Sequence, residues 1–121
     1  MDQVVEHRSA AIVAAIGQGQ SWGALMLGVV WTDEALQDLQ RLVLFQLAHN
    51  GSEAAQDVAL GLFDFADGLP LNPRVWRQLK QFEGDVRRGL WSRYEMRYEI
   101  DDGAHELRVV RLFEQREDRE N

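Results

Sequence analysis

Val86-Arg-Arg-Gly-Leu-Trp-Ser-Arg-Tyr-Glu-Met-Arg-Tyr-Glu-Ile100, then Asp101-Asp-Gly-Ala-His105, then Leu107-Arg-Val-Val-Arg-Leu-Phe-Glu-Gln-Arg-Glu-Asp118, reads as three short antiparallel strands ending in an arginine-bearing tail. The first strand lies near 86–91, with Ser92 at a tight turn. The second, 93–100, alternates cleanly. Tyr94, Met96, Tyr98 and Ile100 share one face; Arg93, Glu95, Arg97 and Glu99 share the other. One face therefore packs on other elements, and the opposite face meets solvent or a ligand. Asp101-Asp-Gly103 is a hairpin signal. The third strand, 107–113, is apolar on both faces at Val109 and Val110, which places it in the interior of a sheet.

Working towards the N-terminus, two prolines in Leu69-Pro-Leu-Asn-Pro73 mark a loop, because proline cannot continue a helix. Residues 74–82 fit a turn of helix or an irregular crossing anchored by Val75, Trp76, Leu79 and Phe82. Before the loop come two helices. Thr32 is placed to cap the first, with Asp33 and Glu34 in the turn where the helix dipole favours negative charge. Its apolar stripe runs through Ala35, Leu36, Leu39, Leu42, Val43, Phe45 and Leu47 to a stop at Asn50-Gly51. Ser52 is the expected cap of the second helix, whose stripe is Ala55, Val58, Ala59, Leu62, Phe63, Phe65 and Ala66. So short a connection predicts an antiparallel helical hairpin, and the sheet is the cover for its apolar faces. Met26–Trp31 supplies one more strand. Residues 3–16 have helical periodicity, so residues 1–25 form an N-terminal extension with helical character, and 26–121 form the domain. The expected fold is α+β, β-α-α-β-β-β, with the hairpin packed on a small, largely antiparallel four-stranded sheet.

A chain of 121 residues suits one core. The absence of cysteine excludes disulfides and thiolate zinc sites and fits a reducing, cytoplasmic setting. No apolar run is long enough to span a membrane, and the N-terminus lacks the basic start of a secretory signal. The net charge is −7, unevenly spread. Residues 1–73 hold nine acids and two arginines; residues 74–121 hold eleven acids, ten arginines and Lys80. An acidic chain is a poor general nucleic-acid binder, although an arginine-lined patch can bind an anion locally.

The outward face of the strands is where chemistry is expected. It can present Arg87 or Arg88, Arg93, Arg97, Arg108 or Arg111, and Arg116 in the tail. Two readings stand. Several guanidinium groups on one sheet face make an oxyanion site. Alternatively, the interleaved Glu95, Glu99, Glu106 and Glu114 pair with them across strands and dress a solvated face. His7, His49 and His105 have no metal-ligand spacing, and neither a cofactor nor a metal is expected. Trp31 and Trp76 read as core or half-buried, whereas Trp91 is a candidate for a partner surface.

Val29-Val-Trp-Thr-Asp-Glu-Ala-Leu36, Asp85-Val-Arg-Arg-Gly-Leu90, Tyr94-Glu-Met-Arg-Tyr-Glu-Ile100 and Arg111-Leu-Phe-Glu-Gln-Arg-Glu-Asp118, in this order and spacing, resemble the RelE/ParE superfamily of toxins from type II toxin–antitoxin systems. The resemblance covers roughly 26–119. A chain of this superfamily usually begins near Met26. The extension then reads as an upstream start codon, or as a helix docked in cis over the surface an antitoxin covers. The resemblance implies a cytoplasmic toxin held in a hetero-oligomer with a cognate antitoxin.

Two activities occur in the superfamily. The RelE-like branch cleaves messenger RNA on the ribosome; the ParE-like branch poisons DNA gyrase without a known hydrolytic site. Carried over by position, Arg87 and Arg116 match basic positions of the RelE-like branch, and Arg97 joins them as a phosphate-stabilising candidate. Glu114, however, stands where many relatives have histidine, and no tyrosine follows Arg116. A carboxylate there removes a group that titrates near neutrality and repels phosphate. The helical hairpin and the Tyr94/Tyr98 spacing resemble the ParE-like branch more closely. The expected function is gyrase binding, with Arg87, Arg88, Arg97, Arg116 and Trp91 as target-binding residues. The alternatives are a ribosome-dependent endonuclease and a detoxified binding module.

Overall fold

The computed structural model describes residues 4–7 and 26–116. Its elements are β1 (Val4–His7), β2 (Gly28–Thr32), α1 (Asp33–Asn50), α2 (Ser52–Gly68), a 3-10 turn (Leu69–Leu71), β3 (Arg77–Gln78), β4 (Asp85–Trp91), β5 (Tyr94–Asp101) and β6 (Glu106–Glu114). The strands form one sheet in the order β1-β2-β6-β5-β4-β3. Only the β2–β6 pair is parallel; the other four pairs are antiparallel.

The α+β class and the helical hairpin on the sheet stand as expected. The strand count does not. The domain from residue 28 onwards contributes five strands rather than four, because Arg77–Gln78 pairs antiparallel with Arg87 and Arg88 of β4 instead of forming a turn of helix. Val4–His7 adds a sixth strand, antiparallel to β2, where helical periodicity pointed to a helix. Two consecutive valines suit a pleated strand as readily as a helix face, and an available sheet edge decides between them. The rest of the expected N-terminal helix lies outside the described residues. Interior placement of β6 is correct: it sits between β2 and β5.

Thr32 joins the layers. Its extended backbone ends β2, and its Oγ1 accepts the Ala35 N–H at 3.2 Å as the N-cap of α1. The same hydroxyl reaches the carbonyls of Val109 and Val110 on β6 at 3.1 and 3.3 Å. Gly51 ends α1 with φ 90°, a backbone region that favours glycine, and its N–H donates to Leu47 O. Gly51 is also the N-cap of α2, with no side-chain cap, so Ser52 lies inside the helix rather than before it.

The core lies between the hairpin and one sheet face. Val29, Trp31, Ala35, Leu62, Tyr98 and Leu112 are among its fully buried members. Trp31 meets the Phe63 ring at 4.9 Å. The stripe of α1 departs from expectation at its C-terminal end. Gln46 is buried and donates to Tyr94 Oη at 3.2 Å, whereas Phe45 and Leu47 are about half exposed. Among the described residues, no helix is long and apolar enough to cross a membrane.

Candidate functional site: an arginine ladder on the outward sheet face

Strand pairing places four arginines in one cross-strand row. Arg77 of β3 is opposite Arg88 of β4, Arg88 is opposite Arg97 of β5, and Arg97 is opposite Arg111 of β6. Residues opposite one another share a face, and like charges so placed repel. The row therefore needs carboxylates, and it receives them unequally.

At the β6 end, Arg111 Nε donates to Asp38 Oδ2 of α1 at 2.7 Å. The next rung, Arg97, is buried and donates through Nε to Glu95 Oε2 at 3.1 Å. Its guanidinium carbon also lies 5.3 Å from the Phe82 ring centroid and 4.8 Å from that of Phe113, so two aromatic faces stabilise the cation. Arg88 Nε approaches the other oxygen of the same carboxylate, Glu95 Oε1, at 3.0 Å. That contact has ion-pair distance without hydrogen-bond alignment, and the buried Arg88 Nε is left without an acceptor. Arg77, the last rung, is exposed and has no carboxylate partner among the described residues, and neither has Lys80 beside it.

Glu95 is 1% exposed, although it lies on the face opposite the helices. Arg77, Lys80, Arg88, Arg97 and Glu95, with Gln78, Leu79 and Gln81, line an open groove of about 620 Å³. Four cations and one anion give that lining a formal charge of +3, on a chain whose total is −7.

The expected target-binding residues do not converge. Arg88 and Arg97 are in the groove. Arg87 is opposite Tyr98 and so faces the other way; it donates to Asp85 Oδ1 and to the carbonyls of Arg74 and Trp76, pinning the 74–76 connector. Trp91 packs its ring against Gly61 of α2 and stacks with Tyr94 at 6.1 Å, which assigns it to the helix side. Arg116 is exposed in a second hollow with Ser92, Arg93, Glu114 and Gln115, at the end of the β4–β5 hairpin. There Arg93 pairs with Glu114 at 3.8 Å.

Arg108 belongs to a separate cluster in which carboxylates outnumber it. It contacts Glu99 at 2.8 Å, Asp101 at 2.6 Å and Glu106 at 3.4 Å. Burial works against its charge, but hydrogen bonding to Glu99 wins and raises its pKa. Asp101 is held below the ordinary carboxylate range, first by the Ala104 N–H and then by Arg108. Both tyrosines lie on the core face. Tyr98 donates to the Pro73 carbonyl at 2.6 Å, and burial pushes its phenol up to about 12. Among the described residues no three His, Asp or Glu side chains gather as a metal-ligand set.

The carboxylate assignments escaped sequence reasoning except in kind. Glu95 was a visible partner for Arg88 and Arg97 by alternation; Asp38 as the partner of Arg111 was not, because the pair spans 73 positions. Arg77 was missed because a two-residue strand shows no alternation.

A helical hairpin packed on a largely antiparallel sheet is the fold that the resemblance to the RelE/ParE superfamily implied. The family model described as "ParE toxin of type II toxin-antitoxin system, parDE" matches residues 29–119, and the chain belongs to that family. A solved structure described as the chromosomal ParDE TA system from P. aeruginosa is similar in fold, with a TM-score of 0.57 at 17% identity, over 69% of this chain and 90% of that one. No curated protein matches the chain. The protein is thus a ParE toxin domain of the type II toxin–antitoxin class.

Proposed function

We propose that this toxin acts in the cytoplasm by binding DNA gyrase, without hydrolytic chemistry, and that a cognate antitoxin holds it in a hetero-oligomer until it is released. The observation that carries this reading is the state of the outward face. Arg97 and Arg88 share Glu95, and Arg111 is tied to Asp38. A nuclease needs guanidinium groups directed at a phosphate and an acid–base pair beside them. Here Tyr94 and Tyr98 point into the core, and Glu114 is engaged with Arg93. Such a face suits recognition of a protein surface. Of the residues expected at the target, we assign contact roles to Arg88 and Arg116, with buried Arg97 supporting the groove from below; Arg87 and Trp91 act through the scaffold.

The same carboxylates favour a second reading, a binding module that has lost toxicity. Purified gyrase separates the two. Inhibition of supercoiling at a concentration stoichiometric with the enzyme supports the toxin. No inhibition, with no growth defect on induction, supports the module. Cleaved messages on purified ribosomes would overturn both in favour of the RelE-like alternative.

A further inference from the structure

The ladder is neutralised from one end only. Arg111 and Arg97 each have a hydrogen-bonded carboxylate. Arg88 has a shared carboxylate outside hydrogen-bond alignment, and Arg77 and Lys80 have none among the described residues. Under-satisfaction is thus concentrated at the β3 side of the groove, where β3 is also the edge of the sheet. Glu95 covers the Arg88 Nε, so what an incoming oxyanion meets is the exposed Arg77 and Lys80 together with the outer part of the Arg88 guanidinium, three cations with accessible N–H donors and a single shared carboxylate between them.

We propose that this end of the groove receives carboxylate side chains from an acidic segment of a protein partner, completing the ladder as Glu95 and Asp38 complete its other rungs. Charge selects the class of partner. The groove carries +3 and the chain −7, so attraction is confined to a patch a few side chains wide. A polynucleotide extends its charge well beyond such a patch and meets the surrounding acids, whereas an acidic peptide concentrates it. The ligand already present in the other rungs is also a carboxylate. This inference deepens the binding reading above by naming the chemistry of what the face receives, and its test does not involve gyrase.

The test is fluorescence anisotropy of the full chain with a fluorescein-labelled, glutamate-rich peptide at low salt, alongside its glutamine counterpart and a labelled single-stranded RNA of equal charge. The glutamate peptide should bind, weaken as salt is added, and outbind both others. The doubly substituted Arg77→Gln/Lys80→Gln chain should lose about tenfold in affinity, as expected for two exposed charge pairs. Both side chains are solvent-exposed, so the thermal melt should be unchanged. Equal binding of the glutamate and glutamine peptides overturns the proposal. So does an undiminished affinity of the doubly substituted chain, and tighter RNA binding would reassign the groove to phosphodiesters. Failure of this test leaves a gyrase result standing, and the converse holds.

Discussion

Asp38 Oδ2 accepts the backbone N–H of Leu112 at 2.9 Å, so a helix side chain replaces the strand partner that β6 loses where β2 ends. The same oxygen accepts from Arg111 Nε. One buried carboxylate thus closes a sheet edge, fixes α1 against β6 and neutralises a rung of the ladder. Asp38→Ala leaves the buried Leu112 N–H without its acceptor and removes the carboxylate that Arg111 contacts. It should cost about 2–3 kcal/mol, the range for losing charged buried hydrogen bonds. Urea unfolding checks this, and a loss below about 0.5 kcal/mol, the level of an ordinary surface substitution, would refute the capping role.

Glu95 is the second such carboxylate, and its removal should separate stability from binding. It sits between Arg88 and Arg97, both within 3.1 Å of its oxygens. Glu95→Gln keeps the shape but removes the charge of the carboxylate that Arg88 and buried Arg97 share, which should destabilise by about 3 kcal/mol. The groove would gain one positive charge, so the Glu-rich peptide should bind more tightly to the folded variant. Chemical denaturation reads the first effect and anisotropy the second. Unchanged stability would mean that the other contacts of Arg97, the Phe82 and Phe113 rings among them, suffice to hold the cation.

The legible parts of this chain are those governed by local rules. Thr32 capping α1 and the alternation that divides Tyr94, Met96 and Tyr98 from Glu95 and Arg97 needed only neighbouring residues. The α1 stripe misled at its end because composition overrode geometry. Positions 35, 39, 42 and 46 keep the helical step, and Gln46 can be buried because Tyr94 Oη accepts its amide. The choice between Arg87 and Arg88 needed a register, which pairing with Tyr98 and Arg97 supplies. Arg77 needed a strand too short to have a pattern. The ladder is a property of four strands brought side by side, so no single stretch of sequence contains it.

Gly61 should resist the substitution that usually stabilises a helix. In an exposed helix interior, Gly→Ala gains about 1 kcal/mol. Here a Cβ at position 61 would stand 2.1 Å from Cη2 and Cζ2 of Trp91, a rigid ring held on the sheet. Gly61→Ala should therefore destabilise by about 1–3 kcal/mol through overpacking. The decisive measurement is a double-mutant cycle with Trp91→Leu. In the leucine background the alanine should become neutral or favourable. Additive losses would show that Trp91 is not what excludes the side chain, and would return it to the candidates for a partner surface.

Tyr98 gives the fold an alkaline limit. Its side chain is fully buried, its hydroxyl donates to Pro73 O, and its pKa is raised from 10.0 to about 12. Burial is the main cause, partly offset by Arg87. Because the folded value lies above the unfolded one, the native state holds the proton more firmly. The associated stability is complete below pH about 10 and is lost as pH rises towards about 12, amounting to roughly 3 kcal/mol. Tyr98→Phe loses the hydrogen bond at every pH but removes this particular pH dependence. Thermal melts of both chains across that window should show a steeper fall for the natural protein, while its phenolate absorbance titrates late. If Tyr98→Phe leaves the alkaline profile unchanged, another group sets the limit, and the Tyr98–Pro73 contact is open to water.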